Sequence, residues 1–209
     1  MPSAGEITGL VLAGGRGLRM GGLDKGLQAF RGEPLARHCL RRLEPQVGAL
    51  ALNANRHLSE YALWQAPVWP DSPSAGDFAG EFAGPLAGFL AGLEHCQTPY
   101  LCTVACDTPL FPLDLVERLA QALENPSCDL AMAAAAEEDG QVRNQPVFCL
   151  IKTTLRESLQ AFLAGGGRKI DAWTASEGAA RMVFDRPHDD PRAFFNANTL
   201  EQLRQLERS

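Results

Sequence analysis

Short apolar runs alternate with loops and with segments of helical periodicity along most of this chain. Ile7–Leu12 is one such run and ends in Ala-Gly-Gly, and Tyr100–Ala105 is another and ends in Cys-Asp-Thr-Pro. Runs of roughly 4–8 apolar residues bounded by turn-forming residues are typical of buried β-strands. Further along, Leu115, Leu119 and Leu123 recur at the spacing of a helix face. The pattern therefore predicts repeated strand–loop–helix units.

The same criteria predict the other elements of the chain. Segment 72–84 is rich in Ser, Ala and Gly and is expected to form a mobile surface loop. A polar turn is expected at 137–144, between two strands. The remaining predicted strands cover 47–52, 68–70, 129–134, 146–151 and 181–184, and the predicted helices cover 34–43, 59–64, 85–96 and 153–163, with others starting near Pro112, Arg168 and Thr199.

Alternation of strands and helices is typical of α/β proteins. In such a fold, a mostly parallel, doubly wound sheet carries helices on both faces, and ligands bind beyond the carboxyl ends of the strands. We therefore predict a Rossmann-like α/β fold in which the loops after Leu12, Leu52, Pro70 and Ala105 share one edge of the sheet. The length of 209 residues favours a single domain, 1–209, over two.

Composition and charge narrow the possible functions. Apolar residues make up 45% of the chain and charged residues 21%, and no apolar run approaches the roughly 18 residues of a membrane-spanning helix. A net charge of −6 argues against a general electrostatic surface for nucleic acid, so a bound anion has to be held locally. No signal peptide is visible, which makes a cytoplasmic location the expectation. The six cysteines lack the spacing of a metal or redox motif and are expected to be buried, reduced thiols.

A glycine-rich loop, 12–25, follows the first predicted strand, where a doubly wound fold binds a nucleotide. It fits neither common phosphate-binding pattern, because Met20 stands where the dinucleotide fingerprint requires glycine or alanine and the Lys-Ser or Lys-Thr pair of a P-loop is missing. Its glycines nevertheless allow backbone N–H groups to approach phosphates, and Arg16, Arg19 and Lys25 add positive charge. The alternative is an ordinary turn with solvated cations.

Two aspartates follow predicted strands at the same edge of the sheet. Asp71 comes after the third strand and Asp107 after the fourth. Mg²⁺ is commonly bound by one or two carboxylates together with substrate phosphates, so the pair is suited to metal–nucleotide chemistry. Each aspartate could instead cap the turn or helix that follows it. Their coincidence with a cationic glycine-rich loop favours the metal–nucleotide interpretation.

Six segments of the chain together carry a family resemblance. They are Leu-Ala-Gly-Gly-x-Gly-x-Arg-Met-Gly-Gly-x-Asp-Lys at 12–25, Asn-Ala-Asn-Arg at 53–56, Asp-Ser at 71–72, Gly-Pro-Leu-Ala-Gly at 84–88, Cys-Asp-Thr-Pro at 106–109 and Asn-Ala-Asn-Thr at 196–199. In this order they resemble the motifs of molybdenum cofactor guanylyltransferases of the bacterial MobA type, over 7–206. The resemblance implies a nucleotide-diphospho-sugar-transferase-like fold, Mg²⁺ as cofactor, and transfer of GMP from GTP to the terminal phosphate of molybdopterin with release of pyrophosphate.

The resemblance also implies roles for individual residues. Lys25 and Arg19, with the loop amides, would offset the triphosphate charge, and Asp107 would hold Mg²⁺ as well as nucleotide. Asn196 and Asn198 would help to hold the pterin, although Asn-x-Asn before a helix is also an ordinary capping sequence. The implied contacts with GTP are Leu12, Ala13, Gly14, Gly15, Lys25, Asn53, Asp71 and Asp107.

Two other functions stay open at this point. A cytidylyltransferase acting on the same pterin would share the glycine-rich loop and Asp107, although the Asn-Ala-Asn segments at 53–55 and 196–198 favour the guanylyl interpretation. A non-catalytic carrier of nucleotide or cofactor would have little use for a Mg²⁺ carboxylate. The expected partners are GTP, molybdopterin, a molybdenum-insertion protein and molybdoenzyme-specific chaperones, without nucleic acid or membrane, and the chain is expected to be a monomer.

Overall fold

A sheet of seven strands organises the chain. The computed structural model describes residues 1–14, 23–73, 84–125, 127–137 and 139–208. The main sheet contains β1 (Ile7–Leu12), β4 (Ala49–Asn53), β5 (Val68–Trp69), β6 (Tyr100–Ala105), β7 (Leu130–Ala136), β8 (Val142–Lys152) and β9 (Ala180–Phe184), and a separate hairpin contains β2 (Ala29–Phe30) and β3 (Glu33–Pro34). The helices are α1 (Leu35–Leu43), α2 (Leu58–Tyr61), α3 (Pro85–His95), α4 (Leu115–Ala122), α5 (Arg156–Ala164), α6 (Ile170–Ser176) and α7 (Leu200–Glu207).

The strand order in the main sheet is β5-β4-β1-β6-β8-β7-β9. β1 pairs in parallel with β4 and β6, β4 pairs in parallel with β5, and β7 with β9, whereas β8 is antiparallel to both of its neighbours. The prediction of a mostly parallel sheet is confirmed. Because the order of strands along the chain reverses at β1, the loops after β1 and β6 flank the crevice in which doubly wound folds bind ligands.

Helices cover both faces of the sheet because side chains alternate between the faces along each strand. On one face, Val11 of β1 and Val104 of β6 pack in a core that includes α1 and α4. On the other face, Leu10 and Leu101 pack in a core that includes α3, α5 and α6. The predicted doubly wound arrangement is therefore confirmed.

Several element bounds differ from the sequence prediction. Ser59 is predicted to cap a short helix through Trp64, but α2 already starts at Leu58, after His57, whose φ of 50° is left-handed, and the segment 62–64 is a 3₁₀ turn. Helix α4 starts three residues after Pro112, and segment 153–163 begins as a 3₁₀ turn before α5. Thr199 caps α7 as predicted, because its hydroxyl accepts a hydrogen bond from the backbone of the first turn.

The β7–β8 hairpin departs furthest from the prediction. A polar turn was expected over 137–144, but β8 begins at Val142 and pairs with the last residues of β7. The register between the two strands shifts after Met132, so that residues 146–148 bulge out between paired positions. Pro146 lies in this bulge. Because proline has no backbone N–H, it could not donate to a strand ladder, and in the bulge no ladder hydrogen bond is lost.

Two expectations drawn from composition concern thiols and membrane helices. None of the six cysteines forms a disulfide, and four of them are buried as predicted, but Cys96 and Cys128 are only half-buried and so depart from the prediction. Burial raises the pKa of Cys102 to about 12, which keeps this thiol protonated. Within the described residues, no helix combines the length and the apolar character needed to cross a bilayer.

Candidate active site at the carboxyl edge of the sheet

The carboxyl ends of four parallel strands meet at one edge of the sheet. Leu12, the last residue of β1, pairs with Asn53 of β4 on one side and with Ala105 of β6 on the other, and Asn53 pairs with Trp69 of β5. Beyond the strands, the N–H of Ala13 donates to the carbonyl of Asn53 at 2.8 Å. The predicted common edge is confirmed, and the glycine-rich loop starts at its centre.

Asn53 is turned inward at the end of β4 and is only 3% exposed. Its Nδ2 donates to the carbonyl of Trp69 at 3.0 Å and to Oδ1 of Asp71 at 2.9 Å. An amide nitrogen carries two hydrogens, so both are used inside the protein. Sequence reasoning treated this amide as able to donate and to accept toward a nucleotide. The structure leaves only Oδ1 for such a contact.

Asn55 ties the glycine-rich loop to the loop after β5. Its Oδ1 accepts from the N–H of Asp71 at 2.8 Å, and its Nδ2 donates to the carbonyl of Gly14 at 3.4 Å. A Cβ at position 14 would lie 2.9 Å from both Asn53 Oδ1 and Asn55 Nδ2, so only glycine fits there. Sequence reasoning assigned no role to Asn55, although the repeated asparagine directly after a strand was an available signal.

Lys25, Asp107 and Asn198 form a polar group beside the end of β6, referred to below as the Lys25 cluster. Nζ of Lys25 donates to Oδ2 of Asp107 at 3.0 Å and to Oδ1 of Asn198 at 2.9 Å. The side chains of Lys25 and Asp107 are 21% and 20% exposed, so both are surrounded by protein and still reachable from solvent. An ammonium carries three hydrogens, and within the part of the chain that the structure describes the third has no acceptor, so it can bind a ligand. Three predicted site residues from distant parts of the chain are thus brought together.

The segment 196–198 is anchored to the loop that follows β6. Oδ1 of Asn196 accepts from the hydroxyl of Thr108 at 2.6 Å, and the N–H of Ala197 donates to the carbonyl of Asp107 at 2.8 Å. Asn198 completes the contact through Lys25. Both asparagines predicted to hold a pterin therefore lie near Asp107, the predicted metal ligand. The side-chain oxygen of each already accepts a hydrogen bond, from Thr108 for Asn196 and from Lys25 for Asn198.

Asp24 fixes the 3₁₀ turn Lys25–Leu27 that carries the Lys25 ammonium. Its Oδ1 accepts from the N–H of Gly26 at 3.0 Å and from the hydroxyl of Tyr61 at 2.7 Å. Tyr61 is fully buried, and burial together with the bond to Asp24 raises its pKa above the ordinary value of 10.0, so the hydroxyl stays protonated and donates. Sequence reasoning missed this pair, because its members are 37 residues apart and no local pattern connects them.

Asp107 is the carboxylate that the sequence predicts to hold Mg²⁺. Asp71 is held by Asn53 and Asn55 on the β4 side of the glycine-rich loop, whereas Asp107 follows β6 on the other side. No three His, Cys, Asp or Glu side chains come together as metal ligands among the residues that the structure describes. Mg²⁺ needs only one or two carboxylates when substrate phosphates and water supply the remaining oxygens. Asp107 fits such an ion, because Lys25 binds Oδ2 and leaves Oδ1 of the same carboxylate for a metal.

Part of the predicted site lies outside the described residues. Gly15 and Arg19, and with them Arg16, fall within 15–22. Most of the predicted mobile loop falls within 74–83. The roles assigned to these residues from the sequence stay predictions.

Comparisons with known proteins identify a family and several relatives. The MobA-like NTP transferase domain matches residues 9–180. A molybdenum cofactor guanylyltransferase of Albidiferax ferrireducens is 60% identical over 213 residues, which cover 99% of this chain and 98% of that protein. A molybdenum cofactor guanylyltransferase of Acidovorax ebreus is 59% identical over 207 residues, which cover 97% of this chain and 95% of that protein.

Solved structures show the same fold at low sequence identity. Molybdopterin-guanine dinucleotide biosynthesis protein A from Archaeoglobus fulgidus superposes with a TM-score of 0.70 at 20% identity, covering 96% of this chain and 97% of that one. The bifunctional IspDF from Campylobacter jejuni superposes with a TM-score of 0.72 at 15% identity, covering 96% of this chain and 54% of that one. At these identities the likeness concerns the fold alone.

Proposed function

Because this chain belongs to the MobA-like NTP transferase family, we propose that it transfers GMP from GTP to the terminal phosphate of molybdopterin and releases pyrophosphate. The observation that carries the proposal is the Lys25 cluster, in which a cation, a carboxylate and an amide meet at the carboxyl edge of the sheet. Relatives that match almost the whole chain at 59% and 60% identity are named molybdenum cofactor guanylyltransferases, which supports the choice of substrates.

The proposed reaction needs no nucleophile from the protein, because the acceptor phosphate is already an anion. One of its oxygens attacks the α-phosphorus of GTP, a new P–O bond forms, and the bond from the α-phosphorus to the bridging oxygen breaks. The electron pair leaves with pyrophosphate. Catalysis then rests on in-line positioning of the two phosphates and on neutralising their charge. In a chain of net charge −6, local cations have to supply that charge.

Lys25 is the described cation in position for this task. Asp107 and Asn198 hold two of its ammonium hydrogens and thereby fix its direction, and the third can donate to a phosphate oxygen. Arg19 is proposed to add a second cation. The proposed contacts with GTP are those that the family resemblance implies, namely Leu12, Ala13, Gly14, Gly15, Lys25, Asn53, Asp71 and Asp107.

Asp107 would hold Mg²⁺, which when bound polarises phosphate oxygens and offsets the charge that develops on the leaving pyrophosphate. The carboxylate is prepared for that role by its surroundings. Its backbone carbonyl is fixed by Ala197, and one carboxylate oxygen is fixed by Lys25. Removal of divalent ions with EDTA is therefore expected to stop pyrophosphate release, and added Mg²⁺ is expected to restore it.

The test is pyrophosphate release from GTP in the presence of purified molybdopterin. Lys25→Met and Asp107→Asn are each expected to lower kcat/KM by roughly 100-fold or more, because each removes a charge that acts on the transition state. Lys152→Met is a matched control, since Lys152 pairs with Asp129 and lies at the end of β8 that pairs with the start of β6. Turnover at the wild-type rate in both site variants would contradict the mechanism.

The same assay separates this function from the two alternatives. Equal pyrophosphate release from CTP and GTP would contradict the guanylyl preference. A carrier would bind GTP or molybdopterin and release no pyrophosphate.

Further expectations concern the state of the protein. We propose that residues 1–209 act as one nucleotidyltransferase domain, as a monomer in the cytoplasm, and that the product passes to a molybdenum-insertion protein and to molybdoenzyme-specific chaperones. Sedimentation at working concentrations tests the monomer, and a larger sedimenting species would contradict it.

A further inference from the structure

A cavity of ≈ 550 Å³ opens beside the Lys25 cluster, between the β7–β8 hairpin and the segment that ends at Asn196. Small-molecule sites in proteins typically occupy about 300–1,000 Å³. From the sequence, the only feature predicted for this hairpin is a polar turn between two strands. Its walls include Glu137, Arg143 and Gln145 from the hairpin and Phe195 from the C-terminal segment.

The cavity wall lies close to the Lys25 cluster along the chain. Asn196 forms part of its wall, and Asn198, two residues later, binds Lys25. Consecutive Cα atoms are about 3.8 Å apart, so the Cα atoms of these two asparagines are separated by no more than about 8 Å. A ligand in the cavity could therefore place a phosphate at Lys25 through a short linker.

The cavity and the GTP contacts proposed on β4 and β5 lie on opposite sides of β6. Asn53 and Asp71 follow β4 and β5, which lie beyond β1 in the sheet. The cavity is formed by β7 and β8, which lie beyond β6 in the other direction. Asp107, at the end of β6, stands between the two sides. A transfer between two substrates needs this arrangement, with the donor on one side of the metal ligand and the acceptor on the other.

The polar wall of the cavity presents hydrogen-bond acceptors next to donors. Nη1 of Arg143 donates to Oε2 of Glu137 at 2.5 Å, and Nη2 donates to Oδ2 of Asp139 at 2.6 Å. The hydrogen bonds from Arg143 lower the pKa of Asp139, so this carboxylate stays ionised. A guanidinium has five N–H hydrogens and a carboxylate about four acceptor positions, so Arg143 and Glu137 both retain bonding capacity toward a ligand.

We propose that this cavity binds the 2-amino-4-oxopyrimidine ring of the acceptor's pterin. The carboxylate of Glu137 accepts from the 2-amino group and from the neighbouring ring N–H. Arg143 donates to the 4-oxo oxygen, and the half-buried ring of Phe195 offers an aromatic surface against which a flat heterocycle can stack. This inference rests on the proposed function and adds the residues that recognise the acceptor. Guanine carries the same edge, so the experiment has to distinguish the pterin from the base of GTP.

The experiment compares KM for molybdopterin with KM for GTP in the pyrophosphate assay. Loss of a hydrogen bond to a charged group predicts that Arg143→Met raises KM for molybdopterin roughly 10–100-fold, and that Glu137→Gln, which keeps one acceptor oxygen, raises it roughly 3–10-fold. KM for GTP is expected to stay within about twofold. Arg156→Met is the matched control, because Arg156 is a half-exposed arginine on α5 whose partner Glu157 is also on the surface.

Two results would overturn the proposal. A rise in KM for GTP alone would mean that the cavity holds guanine, and unchanged KM values for both substrates in both variants would mean that it holds neither ring. Direct binding of molybdopterin to the full chain, measured by calorimetry without GTP, is expected to weaken in the same two variants. That measurement stands apart from turnover. If the wild-type protein binds molybdopterin, both variants bind it more weakly, and no pyrophosphate is released, the proposed function is contradicted while the cavity assignment is supported.

Discussion

The hydroxyl of Tyr61 is expected to control both the stability of the fold and the placement of Lys25. Tyr61→Phe removes one oxygen from a fully buried ring and leaves the apolar packing of that ring in place. The oxygen that is lost donates to Oδ1 of Asp24 at 2.7 Å, and Asp24 is itself only 6% exposed. Water therefore has little access to replace the tyrosine hydroxyl as a donor to Asp24. In the variant, Oδ1 of Asp24 still accepts the hydrogen bond from the N–H of Gly26.

The size of the effect follows from these contacts. A hydrogen bond to a charged group contributes about 1.5–3 kcal/mol, so the free energy of unfolding should fall by about that amount. Activity should fall as well, because Lys25 begins the 3₁₀ turn that Asp24 caps. A shift of its ammonium by a fraction of an ångström is expected to lower kcat/KM for GTP roughly tenfold, since a 1 Å misplacement can cost about 100-fold.

Urea unfolding and pyrophosphate release measure the two effects separately. Tyr100→Phe is the matched control, because Tyr100 is the only other tyrosine in the chain and stands at the start of β6, at the opposite end of that strand from the site. Asp24→Asn keeps an acceptor oxygen for Tyr61 and Gly26 and should lose less stability than Asp24→Ala. If Tyr61→Phe matches Tyr100→Phe in both assays, the reasoning is refuted.

Three other expectations follow from buried contacts. Gly88→Ala would place a Cβ 2.5 Å from Oδ1 of Asn53, so KM for GTP should rise several-fold and the unfolding free energy should fall by about 1–3 kcal/mol. Arg118→Ala leaves the carboxylate of Asp189 without the guanidinium that binds both its oxygens at 2.9 Å, and the unfolding free energy should fall by about 3–5 kcal/mol. Burial lowers the pKa of His38 below the ordinary 6.5, so at pH values near and below 6.5 the unfolded chain binds more protons than the folded one. The urea concentration at the unfolding midpoint should therefore fall as the pH falls below 6.5. In His38→Leu this fall should be smaller.

The carboxyl edge of the sheet was predictable because it follows from apolar periodicity and chain direction. An apolar run that stops at Leu12 and another that stops at Ala105 are sufficient to place two strand ends, and parallel pairing puts them side by side. The polar residues that come next, Asp107 among them, must then face the same edge. This reasoning needs no knowledge of side-chain contacts, which explains why it succeeded.

Contacts between side chains from distant segments were beyond the reach of such reasoning. Nothing in the local sequence pairs Tyr61 with Asp24, or Asn196 with Thr108, because the members are separated by 37 and 88 residues. The antiparallel direction of β8 could not be predicted either, because the apolar pattern of a buried strand does not indicate whether it runs parallel or antiparallel to its neighbours. Without that direction, the position of Arg143 beside the site could not be inferred.

Asn53 shows how far a residue's type alone can determine its role. An asparagine after a strand, in a loop that faces a nucleotide site, is chemically suited to recognise a base. In the folded chain its two amide hydrogens bind Trp69 and Asp71, so only Oδ1 is left for the proposed contact with a nucleotide. Under the proposed function, Asn53 can then accept a hydrogen bond from GTP but cannot donate one.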